Sequence, residues 1–155
     1  MTTATSQFLQ PRPSWTPHEY QERGIEILLT QACAGLFMEP GLGKTSVVLT
    51  AFNILRQKGY FNRLLVVAPL RVAYTVWPGE VAKWPHLDGL RVHILHGDGL
   101  KDIPDADVYV VNPEGLQKVL ANVFPYVFPE ILCIDESTLF KNTRTKRFKD
   151  LKKYL

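Results

Sequence analysis

The chain of 155 residues is 46% hydrophobic and 21% charged, which is typical of one globular domain and excludes a disordered chain. Its two cysteines, Cys33 and Cys133, stand in no metal or redox spacing, which argues against a disulfide framework and indicates a reducing compartment. The net charge of +3 is unevenly distributed: 141–155 holds seven basic residues and one acid, so the remainder is mildly acidic. Such asymmetry indicates an anionic partner for the basic end.

No segment has the pattern of an export signal or a membrane span. The first fifteen residues hold one charge, Arg12, and no long apolar stretch. The longest apolar runs, such as 64–70, are far shorter than the roughly 20 residues that span a bilayer. The sequence therefore predicts a soluble cytoplasmic protein without a membrane partner.

The chain opens with a polar, proline-containing segment, 1–16, which predicts an extended arm ahead of one domain over 17–155. Thr16 and Pro17 are suited to the cap and first position of a helix. In chain order the predicted elements are a helix over 18–31, a short strand over 35–38, a helix over 44–58, a strand over 64–68, a helix over 72–84, strands over 91–95 and 107–111, a short helix opened by Asn112 and Pro113, a strand over 131–134 and a helix over 142–155.

Several of these strands are apolar throughout and alternate with helices. That pattern is typical of a parallel sheet that helices cover on both faces. We therefore predict an α/β fold with three layers, built on a doubly wound and mainly parallel sheet.

The segment 38–45, Met-Glu-Pro-Gly-Leu-Gly-Lys-Thr, lies between a predicted strand and a predicted helix. Glycines there would let the backbone N–H groups turn inward around a phosphate, Lys44 would reach the outer phosphates, and the hydroxyl of Thr45 would face Mg²⁺. The strict phosphate-loop pattern has glycine where this chain has Met38, and the alternative is a Gly-rich turn that precedes Lys-Thr by chance. The predicted loop residues are Gly41, Leu42, Gly43, Lys44 and Thr45.

A phosphate loop predicts an acidic residue at the end of a buried strand. Asp135 and Glu136 follow the apolar run 131–134 in this way. Asp135 would hold Mg²⁺, and Glu136 would orient and deprotonate the attacking water. An acidic turn after a core strand is the alternative; with the loop upstream, we predict Lys44, Asp135 and Glu136 as catalytic residues.

The order of these motifs resembles the first motor lobe of superfamily-two helicases, most closely the Swi/Snf-type DNA-dependent ATPases, including compact phage and bacterial members. The resemblance covers about 17–151, and 135–142 is similar to the family's Asp-Glu-Ala-His-x-x-Lys-Asn stretch, with Thr138 in place of histidine. It implies a RecA-like P-loop NTPase fold, ATP and Mg²⁺ as cofactors, and a nucleic-acid partner, expected to be duplex DNA. The paired acids and the Lys141-Asn142 spacing disfavour a small-molecule kinase.

The resemblance also implies roles for single residues. In the family a glutamine of the entry motif reads the adenine edge, and Gln21 stands at that position. Trp77 and Trp84 lie in the segment similar to motif Ia, and their spacing on one helix face favours a packing role. The implied nucleic-acid contacts are Arg71, Asn112, Lys141, Asn142, Arg144, Lys146 and Arg147.

The family's motor closes ATP between two lobes, and the second lobe brings arginines that stabilise the transferred phosphoryl group. The present sequence stops at Leu155, before the Thr-Gly-Thr-type strand that in the family lies between the phosphate-loop strand and the Asp-Glu strand. We therefore expect an incomplete first lobe with a gap in its sheet. Three arrangements stay open: its remainder lies elsewhere as in a split protein, a second copy or another chain supplies the missing strand, or the existing strands close up. In each case we expect little ATP turnover by this chain alone, without a second lobe. The alternative is a non-catalytic lobe that binds nucleotide or DNA and regulates a partner.

Two further groups of residues are predicted not to form metal sites. His93 and His96 are three apart with no cysteine near, which disfavours a metal site. Asp102, Asp105 and Asp107 lack calcium-loop spacing and are predicted to form a solvated acidic loop.

Overall fold

The computed structural model describes residues 12–136 together with Lys149 and Lys152. No helix in this part of the chain has the length and apolar character required to cross a membrane. The helices and strands of the described residues are, in chain order, α1 (Glu19–Thr30), α2 (Lys44–Gln57), β1 (Leu64–Val67), α3 (Leu70–Lys83), β2 (Val92–Ile94), β3 (Val108–Val111), α4 (Leu116–Asn122) and β4 (Ile131–Ile134).

The four strands form one parallel sheet in the order β2-β3-β1-β4. At the centre, Leu64 of β1 is in register with Val108 on one side and Ile131 on the other. Every residue of β1 and β3 is buried, as expected of β-branched and aliphatic strands covered on both faces. The predicted α/β, doubly wound, parallel architecture is confirmed.

Alternate side chains of the central strands pack into two cores, one on each face of the sheet. On one face, Leu64 and Val66 pack with α2 and α3 through Leu49, Phe52 and Trp77. On the other face, the other two residues of β1 pack against α4. Helices therefore cover both faces, and the helix that follows the phosphate-loop segment shares its layer with α3.

The strand predicted over 35–38 is absent from the sheet: this segment has no regular secondary structure, and Phe37 is 97% exposed. A strand requires a neighbour for its backbone hydrogen bonds, and among the described residues no strand lies beyond β4. The side chains of β4 are only half-buried, although β1 beside it is fully buried. The gap expected from the resemblance therefore corresponds to an unpaired outer edge of β4 in the described part of the chain.

Two helices begin later than predicted. The first starts at Glu19, after His18 rather than after Thr16. The second, α4, starts at Leu116, because the Gly115 N–H donates to the Asn112 carbonyl at 3.0 Å and closes a turn first. Asn and Pro favour both turns and helix starts, so the sequence pattern cannot separate these two outcomes.

The acidic loop is not uniformly solvated, which corrects the prediction for Asp107. Its side chain is 5% exposed and pairs with Arg56 at 3.1 Å and Arg91 at 3.2 Å. Asp105 is exposed and pairs with Arg63 and Arg91. Burial alone would raise the pKa of Asp107, but hydrogen bonds from the side chain and backbone of Arg91, with the charge of Arg56, outweigh it and lower the pKa.

Asp107→Asn is expected to lower the free energy of unfolding at neutral pH by about 2 kcal/mol, since it removes a charged acceptor from two arginines that remain partly hydrated. A lowered folded-state pKa stabilises the fold above the unfolded pKa of about 4, and this contribution is lost as the pH falls through the folded value. Urea unfolding from neutral pH to about pH 2 should therefore show the two proteins converging in acid.

The matched control is Asp102→Asn, because Asp102 is an exposed carboxylate of the same loop. It should leave unfolding within about 0.5 kcal/mol of the original chain at every pH. An Asp107→Asn variant as stable as the original chain, or a difference that does not change with pH, would contradict the role given to this carboxylate.

Candidate nucleotide-binding site

The Gly-rich segment forms a curled loop that leads directly into α2. Gly41 has φ +85° and Gly43, the N-cap of α2, has φ +78°, both in the left-handed region that favours glycine. No side chain among the described residues makes a capping hydrogen bond at this helix start. The first N–H groups of α2 therefore face the curl of the loop without a side-chain cap, the arrangement that binds anions.

Lys44, the first residue of α2, turns its side chain back over the loop. Its Nζ donates to the carbonyl oxygens of Met38 at 2.7 Å and Glu39 at 3.0 Å. A positive charge is thereby held at the mouth of the loop by neutral acceptors. An incoming anion is a stronger partner for an ammonium group than a carbonyl oxygen is.

Gln21 lies beside the loop but is bonded at both ends of its amide. Its Nε2 donates to the Leu42 carbonyl at 3.0 Å, and its Oε1 accepts from the His18 N–H at 2.9 Å. The residue is 6% exposed, and a Cβ placed on Gly43 would lie 2.6 Å from its Nε2. Gln21 therefore links α1 to the loop, and a contact with adenine would require one of these bonds to be exchanged.

The two predicted acids directly follow β4. The Asp135 N–H donates to the Val67 carbonyl at 2.9 Å, and its Oδ2 accepts from the indole Nε1 of Trp77 at 3.1 Å. Glu136 is exposed and has φ +67°, a conformation that L residues other than Asn and Asp seldom adopt. Burial, with a smaller contribution from the negative charge of Asp135, raises the pKa of Cys133 to about 12.

Helix α3 connects the loop side of the site to the acid side. Glu80 lies three residues after Trp77, on the same face of α3. Its Oε2 accepts from the hydroxyl of Ser46, the third residue of α2, at 2.6 Å and from the Trp84 indole at 2.6 Å. Asp135 and the start of α2 are thus both hydrogen-bonded to one helix, which places them on one face of the sheet.

A cavity of about 380 Å³ opens beside the loop, a size suited to a small ligand. Its walls come from three parts of the chain: the segment before α1, the loop itself and the end of α3. The lining residues are Ser14, Trp15, Thr16, His18, Tyr20, Gln21, Gly41, Leu42, Gly43, Ser46, Glu80, Lys83 and Trp84. Sequence reasoning found only those in the two motifs, because the others reach the cavity through contacts distant in the chain.

The described part of the arm, from Arg12, is fixed against the end of α3, where Arg12 donates to the Ala82 carbonyl, and against the segment that follows this helix. The Arg12 guanidinium donates to both carboxylate oxygens of Asp88, at 2.6 and 2.9 Å, and the hydrogen bond lowers the pKa of that carboxyl. Trp15 stacks on His86 with ring centroids 4.6 Å apart, and burial lowers the pKa of the imidazole. These contacts hold one wall of the cavity; the rest of the predicted arm, 1–11, lies outside the described residues.

The predicted nucleic-acid residues divide into two groups. Arg71 is exposed in the first turn of α3, and Asn112 is buried directly after β3, with its Nδ2 donating to Glu114 at 2.9 Å. Both lie at the carboxyl ends of parallel strands, the edge where α/β sheets bind ligands. The remaining five, Lys141, Asn142, Arg144, Lys146 and Arg147, lie outside the described residues.

A doubly wound parallel sheet with a glycine-curled loop at a helix start occurs in RecA-like P-loop NTPase folds and in dinucleotide-binding folds. The family model of the SNF2-related domain matches residues 20–155, and the chain belongs to this family. The chain is 33% identical to protein p41 of Acyrthosiphon pisum secondary endosymbiont phage 1, a match that covers 86% of this chain and 30% of that protein.

Two solved structures share the fold. The SWI2/SNF2 ATPase core of Sulfolobus solfataricus in complex with double-stranded DNA matches with a TM-score of 0.71 and 26% identity, over 93% of this chain and 31% of that one. A second structure, the SWI2/SNF2 ATPase core domain of the same organism, matches with a TM-score of 0.67 and 26% identity, over 94% of this chain and 31% of that one. The chain thus spans just under a third of the length of these relatives.

Proposed function

We propose that this chain binds ATP and Mg²⁺ as the first lobe of a DNA-dependent ATPase and works with a second motor lobe. The observation that carries the proposal is the joint attachment to α3 of Asp135, through Trp77, and of the start of α2, through Glu80. Phosphates seated at the loop would then lie on the same face of the sheet as the acid. Membership of the SNF2-related family supports the same assignment.

Each predicted side chain has a defined task in this proposal. The loop N–H groups and Lys44 bind the phosphates, with the ammonium exchanging its carbonyl acceptors for phosphate oxygens. Glu136 is exposed and free to accept a proton from a water at the outer phosphate. Gln21 and the cavity next to it receive the base.

The oxygen atoms that Asp135 and Thr45 offer fit Mg²⁺. Asp135 offers a carboxylate and Thr45 a hydroxyl, the hard oxygen ligands that Mg²⁺ takes while it retains several waters. The indole N–H bond to Oδ2 leaves the other carboxylate oxygen of Asp135 available. When bound, Mg²⁺ supplies charge neutralisation at the outer phosphates.

The DNA partner and the second lobe are inferred from the relatives. One structural relative is described as an ATPase core in complex with double-stranded DNA, and this chain covers 31% of it. The outer edge of β4, unpaired among the described residues, is where further chain would extend the sheet. An intracellular location stays a prediction of the sequence.

The proposal is tested by MgATP binding to the whole chain, measured by calorimetry and compared with Lys44→Ala. Loss of the ammonium removes a charge-assisted contact to the phosphates, so affinity should fall at least about tenfold. Lys83→Ala is the matched control: its Nζ lies 4.4 Å from the centroid of the Trp84 ring, whereas Lys44 contacts the carbonyl oxygens of the loop, so the effect of Lys83→Ala should be smaller. Equal affinities for the original chain and Lys44→Ala would contradict the phosphate site.

A further inference from the structure

Trp77 combines a core position with a polar contact at the candidate site. Its ring packs in the core between α2, α3 and the sheet and is 1% exposed. Its Nε1 nevertheless reaches the carboxylate of Asp135, 58 positions along the chain, at 3.1 Å. The sequence indicated a packing residue, and packing accounts for the ring but not for the direction of the N–H.

A buried indole N–H requires an acceptor, because leaving it unbonded would cost free energy that a phenylalanine ring would avoid. Here the acceptor is an ionised group, and hydrogen bonds of this kind are about twice as strong as neutral ones. Among the described residues β4 is a strand at the edge of the sheet, and the N–H of Asp135, just past its end, donates to the Val67 carbonyl at 2.9 Å. This bond holds the backbone of Asp135, whereas the bond from the indole fixes the direction of its carboxylate.

We propose that Trp77 is a positioning residue for Asp135, orienting its carboxylate so that one oxygen faces the metal bound with the nucleotide. The metal part of this inference rests on the proposed function. One helical turn along α3, the bond between Glu80 and Ser46 fixes the same helix to α2. Two hydrogen bonds thus attach α3 both to Asp135 and to the start of α2. The helix therefore sets the spacing between the acid and the phosphate loop.

The contact itself is tested without nucleotide. The chain has three tryptophans, so a ¹⁵N-labelled sample gives three indole signals, assigned by single Trp→Phe variants. Asp135→Asn should move the Trp77 indole signal and speed its hydrogen exchange at least about tenfold, while those of Trp15 and Trp84 stay in place. An unmoved Trp77 signal would overturn the contact, and this readout does not require Trp77→Phe to fold.

The positioning role is tested by ADP affinity with Mg²⁺ and in EDTA, for the original chain, Trp77→Phe, Asp135→Asn and the double variant. Mg²⁺ should raise the affinity for ADP about tenfold less in Trp77→Phe than in the original chain, as expected for the loss of a group that orients a metal ligand. Affinity in EDTA should stay within about twofold, and in the Asp135→Asn background Trp77→Phe should add nothing.

The outcomes separate the two proposals. Equal losses with and without Mg²⁺, or in both backgrounds, would identify Trp77 as a packing residue only and overturn the positioning role. An original chain whose ADP affinity Mg²⁺ leaves unchanged would overturn the proposed function and the metal part of this inference, while the indole signal decides whether Trp77 holds Asp135.

Discussion

Gly43→Ala should weaken MgATP binding roughly 100-fold, since a left-handed backbone costs an L residue about 1–2 kcal/mol and overpacking adds about 1–3 kcal/mol. Gly43 has φ +78°, and a Cβ there would lie 2.6 Å from Nε2 of Gln21. Hydrogen bonds to Leu42 and His18 hold the Gln21 amide, so the added methyl would displace either this amide or the curl of the loop that is proposed to hold the phosphates. The cost therefore appears in the affinity, measured by calorimetry.

Gly41→Ala is the matched control, because Gly41 has φ +85° but a Cβ there would meet no atom within 4 Å. Gly41→Ala carries only the free-energy cost of a left-handed backbone, so the affinity of this variant for MgATP should fall only about tenfold. Equal losses in the two variants would show that Gln21 does not restrict the loop. Unchanged affinity in both would contradict the left-handed loop as the bound conformation.

Glu136→Gln should leave MgATP affinity within about twofold and lower ATP turnover at least about 100-fold, the usual contribution of a general base. Glutamine keeps the size of the side chain but cannot accept the proton. Turnover is measured as phosphate release in a chimera where this chain replaces the matching segment of the Sulfolobus solfataricus SWI2/SNF2 ATPase core, of which it covers 31%.

Glu136→Gly should also abolish turnover. Its free energy of unfolding should exceed that of Glu136→Gln by about 0.5–1 kcal/mol, because glycine relieves the strain of a φ of +67°. The larger entropy that glycine loses on folding offsets part of this gain. Urea unfolding of both variants measures this difference. A chimera with Glu136→Gln that retains full turnover would exclude the carboxylate as base. A glycine variant no more stable than the glutamine variant would exclude strain at this position.

Sequence patterns correctly predicted those elements whose formation depends on local sequence alone. The continuous apolar runs became the central strands β1 and β3, because both faces of a doubly wound sheet are covered. The apolar run 35–38 did not become a strand, since pairing depends on a neighbour that no described segment supplies. The burial of Asp107 depends on arginines far along the chain, so acidic composition alone indicated a solvated loop.

The candidate site likewise combines features that follow from local sequence with features that depend on contacts distant in the chain. The positive φ angles of Gly41 and Gly43 follow from the local Gly-x-Gly-Lys-Thr segment, which is visible in the sequence alone. The attachment of Gln21 to Leu42 and of Trp77 to Asp135 joins residues 21 and 58 positions apart, which no spacing rule predicts. The second of these contacts gives Trp77 a polar role that helical periodicity cannot distinguish from packing.

The claim that this chain is one lobe of a DNA-dependent ATPase is tested most directly by phosphate release from ATP with and without duplex DNA, for the chain alone and for its chimera with the Sulfolobus solfataricus ATPase core. We predict turnover near background for the chain alone and DNA-stimulated turnover for the chimera, because the proposed function requires a second lobe whose arginines stabilise charge on the transferred phosphoryl group. Robust DNA-stimulated turnover by the chain alone, abolished by Glu136→Gln, would contradict the need for a second lobe. A chimera that DNA does not stimulate would contradict the assignment as a motor lobe.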